Sequence, residues 1–173
     1  MSKIERFEDI IAWQRARELN KVIYSFINRT PFDKDYDLRR QINASCGSIM
    51  DNIAEGFERG GNKEFINFLI ISKGSAGETR SQLYRAVDRN YIDQNEFENA
   101  CNDVKIISQM LQRLIEYLKK SELKGIRYKA EEDEGIYLPE SINQLLNPEP
   151  NHEAESRKAI RFMGAPFPST QSR

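Results

Sequence analysis

The chain has one histidine, two cysteines and one tryptophan in 173 residues, and only Pro31 precedes residue 139 among its six prolines. Each scarcity excludes something. The single histidine, His152, lies in a proline-flanked tail, so a histidine-based triad or a zinc site within the body of the chain has no ligand to draw on. Cys46 and Cys101 have no histidine partner to activate a thiol and no secretion signal beside them, and are expected as buried free thiols. No window approaches the ~18 uninterrupted apolar residues of a membrane span. The N-terminus, with charges every few residues, lacks the apolar core of a signal peptide. These features predict a soluble, cytoplasmic protein with no membrane contact.

Charge of one sign is also missing. Residues 1–120 carry 19 Lys+Arg against 18 Asp+Glu, and residues 121–173 carry 7 against 9. Neither part is a polybasic arm, so any nucleic-acid contact must come from a local patch, multiplied if the chain oligomerises.

What is present is helical periodicity. A first helix is expected from about Ile4 to Asn28, its apolar stripe including Phe7, Ile11, Leu19, Val22, Ile23 and Phe26, and its end set by Thr30-Pro31. A second runs from about Asp37 to Phe57 on Ile42, Cys46, Ile49, Ile53 and Phe57, with Gly56 and Gly60-Gly61 marking its end. A third, with Asn62 as its N-cap, extends to Val87; its small residues Ser72, Gly74, Ser75, Ala76 and Gly77 predict close approach of another helix, in the bundle or at a subunit contact, with a small ligand cleft as the alternative. A fourth runs from Asp93 to Lys120, opened by the capping-box spacing Asp93…Glu96. Phe97, Cys101, Val104, Ile107, Leu111, Leu114 and Leu118 form its seam, widened by Ile106, Met110, Ile115 and Tyr117. The expected fold is all-α, an antiparallel up-down-up-down four-helix bundle over residues 1–120.

Residues 121–173 form a separate C-terminal extension, partly ordered or disordered. It holds five of the six prolines and the acidic run Glu131–Glu134. Pro139–Leu146 has the pattern of two helical turns, and the end from Asn147 reads as loose. The apolar knots Ile136–Leu138 and Ile160–Met163 suggest docking onto the bundle or a partner, with disorder as the alternative.

No enzyme is expected, and no cofactor or metal. Di-iron bundles need Glu-x-x-His pairs, which are missing. Glu55…Glu58 has the first spacing of the all-helical nucleotide pyrophosphohydrolases, but Glu78 is followed three residues later by Ser81 rather than an acid. Asn52 and Glu55 share a helical face and could bond across to another helix, satisfy backbone near a helix end, or meet a ligand. The candidate nucleic-acid-binding residues are Arg39, Arg40, Arg59, Lys63, Lys73, Arg80, Arg85 and Arg89, with the spacings Lys73–Arg80 and Arg85–Arg89 placing basic groups along parts of one flank.

Three strings then become recognisable. Phe7, Asp9, Trp13, Gln14 and Ala16 match F-x-D-L-x-V-W-Q-K-A; Ser48, Ile49 and Asn52–Gly56 match S-I-P-S-N-I-A-E-G. Lys63–Ile66, Phe68, Leu69, Ile71, Gly74, Ser75 and Glu78 match K-E-F-I-x-F-L-x-I-A-x-G-S-x-x-E. Over residues 4–120 the chain resembles the bacterial four-helix-bundle family of proteins encoded in 23S rRNA intervening sequences. Met50 stands where that pattern has proline, and the extension has no counterpart in a typical short member. The resemblance implies a ring-shaped homo-oligomer, usually a pentamer. It also implies kinship with the accessory variability determinants of diversity-generating retroelements, which bind a reverse transcriptase and nucleic acid. The expected function is a non-enzymatic oligomeric adaptor for RNA, DNA or such an enzyme; the alternative is a protein-binding scaffold that docks a client through the extension.

Overall fold

The computed structural model describes residues 2–123 and 136–138. Four helices, α1 (Ile11–Ile27), α2 (Tyr36–Glu58), α3 (Asn62–Asp88) and α4 (Gln94–Leu123), pack in sequential antiparallel contact, and α4 closes back on α1. This is the expected up-down-up-down bundle. The readings of Pro139–Leu146, Ile160–Met163, Glu131–Glu134, His152 and the end from Asn147 lie outside the described residues.

The N-terminal boundary differs from expectation. Ser2–Ile4 is a strand, β1, and Phe7–Asp9 is a single 3-10 turn. Asp9 is the cause: its carboxylate accepts from the backbone N–H of Glu5 at 3.2 Å and of Arg6 at 3.1 Å, a local arrangement that competes with helix. The stripe of α1 also shifts. Ala12, Ala16, Leu19, Ile23, Phe26 and Ile27 are buried, whereas Ile11 is half-buried and Val22 exposed.

α2 begins at an Asp35 cap, whose side chain accepts from Leu38 N–H at 3.1 Å. It runs unbroken through Met50 and ends where Gly60 adopts φ 71°, its N–H bonding Phe57 O at 3.1 Å. Gly56 does not end the helix. It is buried at the crossing with α3, where a Cβ would lie 2.5 Å from Phe68 Cβ.

The start of α3 falls one residue earlier than expected. Gly61 is the N-cap and Asn62 the first helical residue, with no side-chain capping bond. Ser72, Ser75, Ala76 and Thr79 face the core, and Ser72 Oγ donates to Ile49 O at 2.8 Å. Gly74 and Gly77 behave otherwise. Both are exposed, and a Cβ at either would meet nothing within 4 Å, so no helix among the described residues approaches them.

The capping box of α4 forms as its spacing requires: Glu96 N–H donates to Asp93 Oδ1 at 2.8 Å and Asp93 N–H to Glu96 Oε2 at 3.0 Å. Arg29, just past the end of α1, grips the same Glu96 at 2.7 and 3.1 Å, tying the start of α4 to the first helix. The seam from Phe97 to Leu118 is buried, Met110 and Ile115 with it; Ile106 and Tyr117 pack half-buried at its edges. Ile136–Leu138 forms β2, pairing antiparallel with β1 so that Lys3 faces Tyr137. That knot of the extension therefore meets the N-terminus of its own chain.

Candidate nucleic-acid interface

The eight basic candidates do not make one surface. Five residues separate Arg80 from Arg85, which turns the chain by about 140° on a 3.6-residue helix. Lys73 accordingly reaches α4, donating to Gln112 Oε1 at 2.6 Å, and the Arg80 charge bears on Cys101 of the same helix. Arg85 and Arg89 turn to α2, Arg85 donating to Gln41 Oε1 at 2.6 Å and Arg89 pairing with Asp35. The single basic flank is thus two sides of α3.

Arg39 and Arg40 open α2 at the same end of the bundle as Arg85 and Arg89. Arg39 donates to Asn28 Oδ1 at 3.0 Å. Arg59 and Lys63 sit at the opposite end, where Arg59 pairs with Glu55 at 2.6 Å and lies 4.9 Å over the Phe68 ring. Among the described residues, Arg40, Lys63 and Arg80 alone of the eight have no hydrogen bond or ion pair, and all three are exposed. An unpaired guanidinium or ammonium can meet a phosphate without first surrendering a carboxylate.

Asn52 and Glu55 reach no other helix. Asn52 Nδ2 donates to Ser48 O at 2.6 Å and to Ser48 Oγ at 2.9 Å, and Glu55 pairs with Arg59, all at four-residue steps. Among the described residues, no three His, Cys, Asp or Glu side chains come together in a metal-binding group. Cys46 and Cys101 are buried and free; burial pushes the Cys46 thiol up to about 12, far from the range of a reactive thiolate.

Two concavities lie on the surface of the described residues. One, of about 710 Å3, runs along α1 past Trp13, Arg15, Glu18 and Val22 to Asp103 of α4, whose carboxyl is raised by burial against the opposing pull of Arg15. The other, about 310 Å3, is an open groove between α2 and α3, lined by Arg40, Gln41, Ala44, Ser45, Ser48, Glu78 and Gln82. Sequence spacing missed this groove. Its residues sit on two helices, and only the antiparallel register that sets Ser45 against Thr79, 2.9 Å between hydroxyls, brings them together.

A family model for the 23S rRNA-intervening sequence protein matches residues 8–113. The chain belongs to that family. The match spans α1 to α3 and most of α4 and includes all eight basic candidates. Among solved structures, the chain is similar to a protein with unknown function from the S23 ribosomal protein family of Bacteroides thetaiotaomicron. The two share 28% identity at a TM-score of 0.56, over 60% of this chain and 97% of that one. The intervening-sequence family thus accounts for the bundle, while the β2 segment lies beyond residue 113. No curated protein matches the chain. No helix among the described residues is long and apolar enough to cross a membrane.

Proposed function

We propose that the chain assembles with copies of itself into a non-enzymatic adaptor that holds RNA, or an enzyme acting on nucleic acid such as a reverse transcriptase. The observation that carries this reading is the outward face of α3. Ile70, Gly74, Gly77, Ser81 and Tyr84 follow one another at steps of 4, 3, 4 and 3, a seam spacing directed at solvent. Ile70 and Tyr84 are 48% and 53% exposed, Ile71 beside them 52%. Two glycines in mid-helix cost about 1 kcal/mol each relative to alanine, and among the described residues nothing packs on them in return. A second copy's helix pressed against that seam would recover the cost by close backbone approach. The ring of five is the number the family resemblance implies.

In such an assembly Arg40, Lys63 and Arg80 recur once per copy, and weak phosphate contacts add through effective concentration. The family's intervening-sequence name supports RNA as the client. The scaffold reading, with a client docked through residues 121–173, ranks second because Ile136–Leu138 is already engaged by β1.

Light scattering on the purified protein should show a multimer at micromolar concentration, and Gly77→Glu should dissociate it while circular dichroism keeps the helical signal. A wild-type monomer would end the assembly claim. RNA affinity should fall as salt rises, and Arg80→Glu should reduce the log–log salt slope by roughly 0.7 for each Arg80 in contact with a single-stranded phosphate. A salt-insensitive titration unchanged by Arg80→Glu would remove nucleic acid from the proposal.

A further inference from the structure

The groove between α2 and α3 presents an uneven set of solvent-facing hydrogen-bonding groups. Ser45 Oγ, buried at its floor, donates to Gln82 Oε1 at 2.5 Å and lies 2.9 Å from Thr79 Oγ1. Gln41 Oε1 is taken by Arg85, and Ser48 Oγ already accepts from Asn52. What remains is mostly donors: the amide N–H groups of Gln41 and Gln82, the Ser48 hydroxyl proton and the Arg40 guanidinium. The one vacant charged acceptor is the Glu78 carboxylate, which, like Arg40, has no hydrogen bond or ion pair among the described residues.

We infer that this groove takes an unpaired guanine base, supplied by RNA; the inference rests on the nucleic-acid reading above. A lone phosphate is disfavoured, because Glu78 would face it. Adenine and cytosine each set an acceptor beside the amino donor of their pairing edge, and uracil sets its one donor between two carbonyls. Guanine alone offers two adjacent donors, N1–H and the N2 amino group, that a carboxylate accepts together. Its opposite edge offers O6 and N7, the acceptors that a guanidinium or an amide N–H binds. Single-stranded RNA exposes both edges.

The spacing fits. Gln82 meets Ser45 and Arg85 meets Gln41, so the same antiparallel register brings Glu78 to Ser48. Arg40 precedes Ser48 by eight residues, about 12 Å along the helix axis. With both side chains extended across the groove rather than along the helix axis, that gap is on the order of a purine with a hydrogen bond at each edge.

The test uses the full chain and fluorescence anisotropy with two labelled ten-nucleotide RNAs, all adenine and adenine with one central guanine. The guanine oligomer should bind about 10-fold tighter, and guanosine monophosphate, not adenosine monophosphate, should compete it away. Glu78→Gln should abolish the preference, so that the two oligomers bind equally at the same salt, since an amide accepts only one of the two donors. Equal affinity for the two oligomers, or a preference that survives Glu78→Gln, overturns the guanine site and leaves salt-dependent RNA binding standing. Binding of guanosine monophosphate without either oligomer overturns RNA as the source. No binding of oligomers or nucleotide overturns this inference and the nucleic-acid reading together.

Discussion

Gly56→Ala is expected to destabilise the protein by about 2–3 kcal/mol, the upper part of the range for an overpacked core, lowering the melting temperature by roughly 5–10 °C. Alanine normally stabilises a helix relative to glycine by up to about 1 kcal/mol, so the sign must come from packing. A Cβ at Gly56 would sit 2.5 Å from Phe68 Cβ and 3.0 Å from Phe65 Cδ2. Phe68 Cβ is anchored directly to the backbone of α3, so rotating the ring does not relieve the contact; the two helices must separate. That opens the packing of Phe57 on Phe65, whose rings meet edge-on at 6.0 Å. Gly74→Ala and Gly77→Ala are the controls. Each adds its methyl to open space and should leave urea stability unchanged or raise it by up to about 1 kcal/mol, provided the comparison is made on unassembled protein. Equal effects at all three positions would show that helix propensity, not the crossing, governs Gly56.

Asp35→Ala is expected to cost about 2 kcal/mol at neutral pH, because one carboxylate serves three elements. It caps α2 through Leu38 N–H, a contribution of about 1 kcal/mol. It also accepts from Tyr91 Oη at 3.2 Å and pairs with Arg89 at the end of α3. Removing it strands the half-buried Tyr91 hydroxyl, while Tyr91 stays stacked on Phe32 at 4.9 Å. The Leu38 N–H first, then Arg89 and Tyr91, hold the Asp35 carboxyl below the usual carboxylate range against the opposing effect of burial. A group whose folded pKa is depressed contributes stability above its unfolded value, about 3.9, and loses it as pH falls through the folded value. The difference in urea midpoint between wild type and Asp35→Asn should therefore be full at pH 7 and shrink below about pH 4. A difference constant down to pH 2 would show that the carboxylate charge is not involved. Asparagine keeps a capping oxygen, so its loss at pH 7 should be smaller than that of alanine.

Where a local rule and the tertiary environment agreed, the sequence was informative. The Asp93–Glu96 box and the seam of α4 needed only their own spacing, and both formed as read. The start of α1 was misread because the periodicity of Phe7 and Ile11 continues upstream of the point where Asp9 turns the backbone. Ala12 and Ala16 were missed as core since small residues carry little hydrophobic signal yet let helices approach. The glycines show the limit most clearly. Gly56 is a crossing where the spacing suggests a helix end; of the close approaches expected at Gly74 and Gly77, the one within the bundle is not made among the described residues, and the subunit contact is the one left to an outward face. Nothing in a glycine says which neighbour comes near it. The candidate site was legible residue by residue but not as a surface. Spacing placed Lys73 with Arg80, but not on which side of α3 Arg85 and Arg89 fall, and the groove around Glu78 depends on a register that no single helix encodes.

The short ladder of β1 and β2 bears on how the bundle should be handled. Ser2–Ile4 keeps its pairing only while Ile136–Leu138 lies alongside. A chain cut back to the four helices would leave that strand with an unsatisfied hydrogen-bonding edge, a template for adhesion between molecules. Aggregates of such a fragment would report a sticky strand edge, and would be a poor guide to any association made through the outer seam of α3.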